Sequence, residues 1–232
     1  MRSSIACCVA FTLALLGEVR GHGRLVDPPA RSSMWRFGFD TPVNNDDMAL
    51  YCGGFQRQWE KNGGRCGVCG DPFDGSRDHE AGGKYATGII AKRYTQGQTI
   101  EVSVDLTKSH LGWFEFRLCP HNNPNRRVSQ MCLDRNLLRL EADGSTRYQV
   151  RSWASQVHTI SLRLPPGVIC TQCVLQWRYN AGNSWGCDVT GCCLGCGRQE
   201  QFYGCADIAI SASGKARIIK FQYGRAGFDA ML

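Results

Sequence analysis

The sequence lacks any uncharged apolar run long enough to cross a membrane. Its longest such run, from Ile5 to Leu16, has twelve residues, whereas a transmembrane helix needs about 18 to 20. A short apolar run that follows a basic start, here Met1-Arg2, is typical of a secretory signal peptide. The chain also contains no internal repeat and no Pro- or Ser-rich linker. We therefore expect a soluble, secreted, extracellular protein with one folded domain and no membrane partner.

Nothing in the sequence marks a pair of catalytic carboxylates either. A hydrolytic glycosidase needs two of them about 5 to 10 Å apart across a cleft, and the 20 Asp and Glu residues show no such pairing. The formal net charge is +7, and it becomes +6 once a leader with two Arg and one Glu is lost. The basic residues are scattered, and export removes most nucleic-acid partners. We therefore expect neither glycoside hydrolysis nor nucleic-acid binding.

A cleavage site after the apolar run would set the first residue of the mature chain. Val19 and Gly21 are small residues at the third and first positions before a cut at His22. The predicted segments are a signal peptide over 1–21, one domain over 22–212 and a C-terminal tail over 213–232. A cut one or two residues away is the alternative, and it would make His22 an ordinary loop residue.

Fourteen cysteines are present, and two of them, Cys7 and Cys8, leave with the predicted leader. The remaining twelve are an even number, which in an oxidising compartment predicts up to six disulfides. Zinc binding is the alternative, because three pairs have the two-residue gap of zinc ligands. These pairs are Cys66 and Cys69, Cys170 and Cys173, and Cys193 and Cys196. Export favours the disulfides.

Apolar residues alternate with polar ones along several short segments, which is the pattern of half-buried strands. The segments "QTIEVSVDL" and "HTISLRL" each place their apolar residues on one face, and "GWFEFRL", "CVLQWRY" and "ADIAIS" are further strand candidates. The one predicted helix is short and lies within "DDMALYCGGFQRQWEKNGG", beginning near Asp46. Many short strands with loop-rich connections predict an all-β sandwich with disulfide-stapled loops.

An N-terminal histidine offers metal chemistry that an internal histidine does not. Its α-amine has a pKa near 7.7 to 8, so it gives up its proton readily when a metal competes for it. The amine nitrogen and Nδ1 of His22 can then chelate one ion, and a second imidazole completes three nitrogens in a T. Such nitrogen-rich, tetragonal ligation suits Cu(II).

Four other histidines could supply the second imidazole. His110 falls between two predicted strands, where a rigid scaffold can present a loop side chain. His79 and His121 lie in polar loops and are expected to be solvated, and His158 is expected at the edge of a strand. His110 is thus the best candidate, although a structural role is the common one for a lone histidine.

Several segments together resemble the lytic polysaccharide monooxygenases of the fifteenth auxiliary-activity family, an arthropod-type group within the chitin-binding type 4 domain. These segments are "HGRLVDPPARSSMWRFGF", "YCGGF", "NGGRCGVCGDPF", "GGKYATG", "SHLGWFEFRLC", "WRYNAGNSWG" and "EQFYGCADIAI". The resemblance runs from His22 to about Ser211. It implies an immunoglobulin- or fibronectin III-like β-sandwich with a flat copper face, and it favours cleavage before His22.

The resemblance also implies the site residues. His22 and His110 would bind the copper, Phe202 would lie at its axial position, and Glu200 would be the polar catalytic group beside it. Successive side chains of a strand alternate faces, so the alternative pairs Tyr203 with Gln201. The spacing to the strand's cysteine and aspartate in relatives favours Phe202. One departure is Lys108, in "TKSH", where relatives often carry alanine.

The implied activity is oxidative cleavage of β-1,4-glycosidic bonds in insoluble chitin or cellulose. It uses one copper ion cycling between Cu(II) and Cu(I), O2 or H2O2 as co-substrate, and an external electron donor. The expected partner is crystalline polysaccharide, and the protein is expected to be a monomer. The alternatives are a non-catalytic secreted chitin-binding protein and a secreted copper-storage or copper-shuttling protein. Trp35, Trp113 or exposed tyrosines could stack on sugars in the enzyme or in the binding protein, but large aromatics also dominate cores.

Overall fold

Short strands carry most of the fold in the computed structural model, which describes residues 22–213. The predicted leader and the tail after Ser213 lie outside the described residues. The strands are β1 (His22–Asp27), β2 (Lys92–Thr95), β3 (Thr99–Lys108), β4 (Gly112–Pro120), β5 (Arg139–Leu140), β6 (Tyr148–Val150), β7 (Gln156–Arg163), β8 (Cys170–Asn180), β9 (Trp185–Asp188), β10 (Gly191–Leu194) and β11 (Gln201–Ser211).

Two sheets face each other. One has four strands in the order β1-β3-β7-β5, and the other has five in the order β2-β11-β8-β4-β6. Neighbouring strands are antiparallel except for the parallel pair β2 and β11. Strands β9 and β10 form a separate hairpin between β8 and β11.

The core lies between the two sheets and follows the alternation read from the sequence. The predicted inward faces of β3 and β7 are buried: Ile100, Val102, Val104, Leu106, Ile160 and Leu162. They pack against the aromatic residues of the five-stranded sheet, above all Phe114, Trp177 and Tyr179. Burial of such faces is the main favourable term in folding. The prediction of an all-β sandwich is confirmed.

The helices differ from the prediction. A π-helical turn at Gln56–Lys61 lies inside the predicted segment, but it does not begin near Asp46. Cys52, Gly53 and Gly54 all have positive φ, so the backbone there cannot continue a right-handed helix. A 3₁₀ turn at Met34–Phe37 and a short helix, α1 (Gln130–Asp134), were not predicted. None of the described helices is long and apolar enough to span a membrane.

All twelve cysteines of the described region form disulfides. The pairs are Cys52–Cys66, Cys69–Cys205, Cys119–Cys132, Cys170–Cys173, Cys187–Cys192 and Cys193–Cys196. The disulfide prediction is confirmed, and the zinc alternative is wrong because none of these thiols is free to ligate a metal. Two bonds, Cys69–Cys205 and Cys119–Cys132, lie in a second apolar cluster that also contains Val68, Leu133 and Val174.

Candidate metal centre

The first residue of β1 and the end of β3 lie at the same end of the sandwich. His22 pairs with Lys108, the last residue of β3, in the β1–β3 ladder. The next residues leave the strand and carry His110 between β3 and β4. Lys108 is exposed, whereas the hydroxyl of Thr107 donates to the main-chain oxygen of His22 at 3.3 Å. The two histidines are therefore brought together by neighbouring strands.

Tyr179 holds the loop that presents His110. Its hydroxyl accepts a hydrogen bond from the main-chain N–H of His110 at 2.8 Å and donates one to the main-chain oxygen of Leu111 at 2.6 Å. Leu111 has φ 54°, an uncommon conformation for a residue of its type. Burial raises the pKa of Tyr179 to about 12, so the hydroxyl keeps its proton and can serve as donor and acceptor at once.

The two ring nitrogens of His110 have different surroundings. Nδ1 lies 3.0 Å from the side-chain amide of Asn183, while Nε2 is buried and meets no hydrogen-bonding group among residues 22–213. The residue is only 2% exposed. Burial lowers the pKa of His110, and the positive charges of Lys108 and His22 lower it further. The imidazole therefore stays neutral to lower pH than usual, which keeps a nitrogen lone pair available for a metal.

Strand β11 turns Phe202 and Tyr203 to opposite faces of its sheet. Phe202 pairs with Tyr179 in the ladder, is fully buried in the main core, and its ring centre lies 5.7 Å from that of Tyr179. Tyr203 instead donates its hydroxyl to Oε1 of Gln201 at 2.7 Å on the outer face. Phe202 therefore shares the face of Tyr179, whose hydroxyl bonds the main chain of His110, and Tyr203 does not.

Glu200 lies just before β11, close enough to Tyr179 for its charge to act on the Tyr179 hydroxyl. Its main-chain oxygen accepts from the N–H of Ala181 at 3.0 Å, and its negative charge contributes to the raised pKa of Tyr179. The structure thus gathers His22, His110, Phe202 and Glu200 around one end of the sandwich.

Of the remaining histidines, His79 differs from its prediction. His79 is 5% exposed rather than solvated, because Nδ1 binds Asp71 at 2.8 Å and Nε2 binds Asn44 at 3.0 Å. His158 is buried near the start of β7 and meets Phe114 edge-on. It pairs with Val104 of β3, whereas β5 pairs with β7 at Arg163 and Leu162. His121 is partly exposed and bonds the main-chain oxygen of Arg126.

Several residues near the candidate site were not predicted from the sequence. Tyr179 and Asn183 both lie in the quoted segment "WRYNAGNSWG", but no local pattern assigns them a contact with His110. Among the tryptophans, Trp185 is 72% and Trp153 58% exposed. Trp113 points to the outer face, where the guanidinium groups of Arg147 and Arg178 stand 4.1 and 5.3 Å from its ring centre. Trp35 is half-buried beneath Arg36.

The donor set at this end of the sandwich is small. Within residues 22–213, no group of three or more His, Cys, Asp or Glu side chains converges as a metal site. Two imidazoles alone provide a metal with only two protein ligands, and the α-amine of a chain that begins at His22 would add a third nitrogen.

Comparisons with known proteins identify similar sequences and structures. Residues 22–208 match the sequence model of a family described as lytic polysaccharide mono-oxygenase, cellulose-degrading. The structure of an AA15 lytic polysaccharide monooxygenase from Thermobia domestica in the Cu(I) state is 49% identical, with a TM-score of 0.79, covering 82% of this chain and 99% of that one. Fusolin spindles of Wiseana spp entomopoxvirus match at 16% identity over 61% of this chain and 53% of theirs, with a TM-score of 0.34 that carries no weight. Comparison with curated proteins gave no match.

Proposed function

Because this chain belongs to the lytic polysaccharide monooxygenases of the fifteenth auxiliary-activity family, we propose that it is a secreted enzyme that binds one copper ion and oxidatively cleaves β-1,4-glycosidic bonds in chitin or cellulose. One observation carries the proposal. Nε2 of His110 is a buried nitrogen without a hydrogen-bonding partner among residues 22–213, at the end of the sandwich where β1 begins with His22.

The residues at this end fit copper. The α-amine and Nδ1 of His22, together with Nε2 of His110, would provide three nitrogens, and nitrogen-rich tetragonal ligation suits Cu(II). The amine is available only if cleavage occurs before His22. Copper bound there would supply the electron transfer and the activation of O2 or H2O2, with an external reductant as electron source.

Phe202 and Glu200 would have different roles at the site, one apolar and one polar. The phenyl ring of Phe202 is fully buried and has no ligating atom, so it would keep its side of the site apolar and closed to water. The carboxylate of Glu200 could accept a hydrogen bond from the co-substrate or a water, or move a proton to it. Tyr203 and Gln201 bond each other on the outer face, which favours the pairing of Phe202 with Glu200.

Two exposed indoles suggest how polysaccharide is held. Trp153 lies in a loop fixed to the His110 segment, because the hydroxyl of Ser109 donates to the main-chain oxygen of Ser152 at 2.6 Å. Trp185 begins the disulfide-stapled hairpin that follows Asn183. Aromatic faces stack on sugar rings, so these two exposed indoles could anchor a polysaccharide surface. A non-catalytic chitin-binding protein would use the same surface.

Product analysis separates the enzyme from the binding protein. Copper-loaded protein with ascorbate is incubated with chitin and with cellulose, and soluble oligosaccharides are analysed by mass spectrometry. We expect aldonic-acid or 4-keto oligomers from one of these substrates. His110→Ala should yield none, while His121→Ala, the matched control outside the site, should behave as wild type. Chitin binding without oxidised products from either substrate would reject the monooxygenase and leave the binding protein.

A further inference from the structure

The side chain of Asn183 contacts the ring of His110 at Nδ1. The amide nitrogen Nδ2 of Asn183 lies 3.0 Å from Nδ1, while Nε2 is buried and has no partner within the described chain. A neutral imidazole carries one proton, and the partner of one nitrogen decides which nitrogen holds it. Whatever contacts Nδ1 therefore determines whether Nε2 presents a lone pair.

The backbone on both sides of Asn183 is fixed. The N–H of Gly182 donates to the main-chain oxygen of His110 at 2.9 Å. On the other side, the fully buried side chain of Gln199 accepts from the N–H of Ser184 at 3.1 Å and donates to its oxygen at 2.9 Å. A side chain at position 182 would have its Cβ only 2.9 Å from the nitrogen of Gly112, so the two loops are packed directly against each other. Asn183 is thus held in place independently of its contact with His110.

We propose that Asn183 is a positioning residue that fixes the ring orientation and the tautomer of His110, so that Nε2 faces the site unprotonated. This role rests on the proposed function. In the structure the amide nitrogen of Asn183 faces Nδ1, and a half-turn about χ2 brings the amide oxygen to the same place with no movement of the backbone. With its oxygen toward the ring, Asn183 accepts the Nδ1 proton and leaves the lone pair of Nε2 for a metal. Outer contacts of this kind set the orientation and basicity of ligating histidines.

The first test needs no metal. Nitrogen-15 spectra of metal-free protein report which ring nitrogen of His110 carries the proton. We expect the Nδ1-protonated form in the wild type and in Asn183→Asp, whose carboxylate can only accept. Asn183→Leu, which has a similar shape and no polar atom, should give a mixture of tautomers. Unchanged His110 signals in Asn183→Leu, or an Nε2-protonated ring in Asn183→Asp, would overturn the proposal.

The second test is copper affinity, with a matched control. Asn44 contacts Nε2 of buried His79 at the same 3.0 Å distance, away from the site. Asn183→Leu should bind Cu(II) about 10- to 100-fold more weakly than wild type, while Asn183→Asp and Asn44→Leu should bind as wild type does. Equal affinity of Asn183→Leu and wild type would also overturn the role. If wild-type protein binds no copper, the proposed function fails, and the spectra of metal-free protein still decide the role of Asn183.

Discussion

Replacing Tyr179 with phenylalanine tests whether one buried hydroxyl holds the loop of the candidate site. The change removes the acceptor of the His110 N–H and the donor to the Leu111 oxygen, at 2.8 and 2.6 Å. A buried polar group that loses its partner costs about 1–3 kcal/mol. The His110 N–H and the Leu111 oxygen both lose their partner, and each can move in part to bond water. We therefore predict a loss of about 2–4 kcal/mol in the free energy of unfolding. The melting temperature should fall by roughly 5–15 °C for a domain of this size.

Tyr94 provides the matched control for this substitution. Its hydroxyl is also buried, but it has no hydrogen-bond partner among residues 22–213. Tyr94→Phe therefore removes the same atom without breaking a bond, and it should change the free energy of unfolding by less than about 1 kcal/mol. Guanidinium denaturation of both metal-free variants measures the difference. Equal stability of the two variants would refute the reasoning that the Tyr179 hydroxyl holds the His110 loop.

Three further predictions concern charge, pH and disulfides. Lys108→Ala should raise the pKa of His110 in metal-free protein, because a neighbouring positive charge is removed; an unchanged proton NMR titration would contradict this. Burial lowers the pKa of His158 below 6.5, so protonation favours the unfolded chain, and stability should fall as pH drops below about 6.5. His158→Gln should flatten that fall, and an equal slope in denaturation experiments would count against it. Replacing Cys69 and Cys205 by alanine opens a loop of 136 residues and should cost about 5 kcal/mol; a loss below about 2 kcal/mol would contradict that estimate.

The strands could be predicted because their signal is local. In β3, the residues Ile100, Val102, Val104 and Leu106 alternate with polar ones, and a sheet with one buried face requires this period. The register of β11 could be argued in the same way, since alternation alone separates Phe202 from Tyr203. Alternation could not predict which face of β11 points toward His110.

The rest depends on contacts between distant segments. The loop around His79 is polar in sequence, yet it is buried because Asp71 and Asn44 bind both ring nitrogens. The helix predicted near Asp46 begins ten residues later, at Gln56, after the positive-φ residues Cys52 to Gly54. The contact of Asn183 with His110 spans 73 residues of sequence. No local pattern encodes the contact of Asn183 with His110, because it depends on the pairing of β4 with β8.

The central claim is that His22 and His110 hold one copper ion through three nitrogens. Electron paramagnetic resonance of Cu(II)-loaded protein tests it most directly, using secreted protein whose first residue is verified as His22 by mass spectrometry. We predict a tetragonal spectrum with three nitrogen ligands, and loss of tight binding when a glycine precedes His22 and converts its amine into an amide. An unchanged spectrum and affinity in the extended protein would contradict the account.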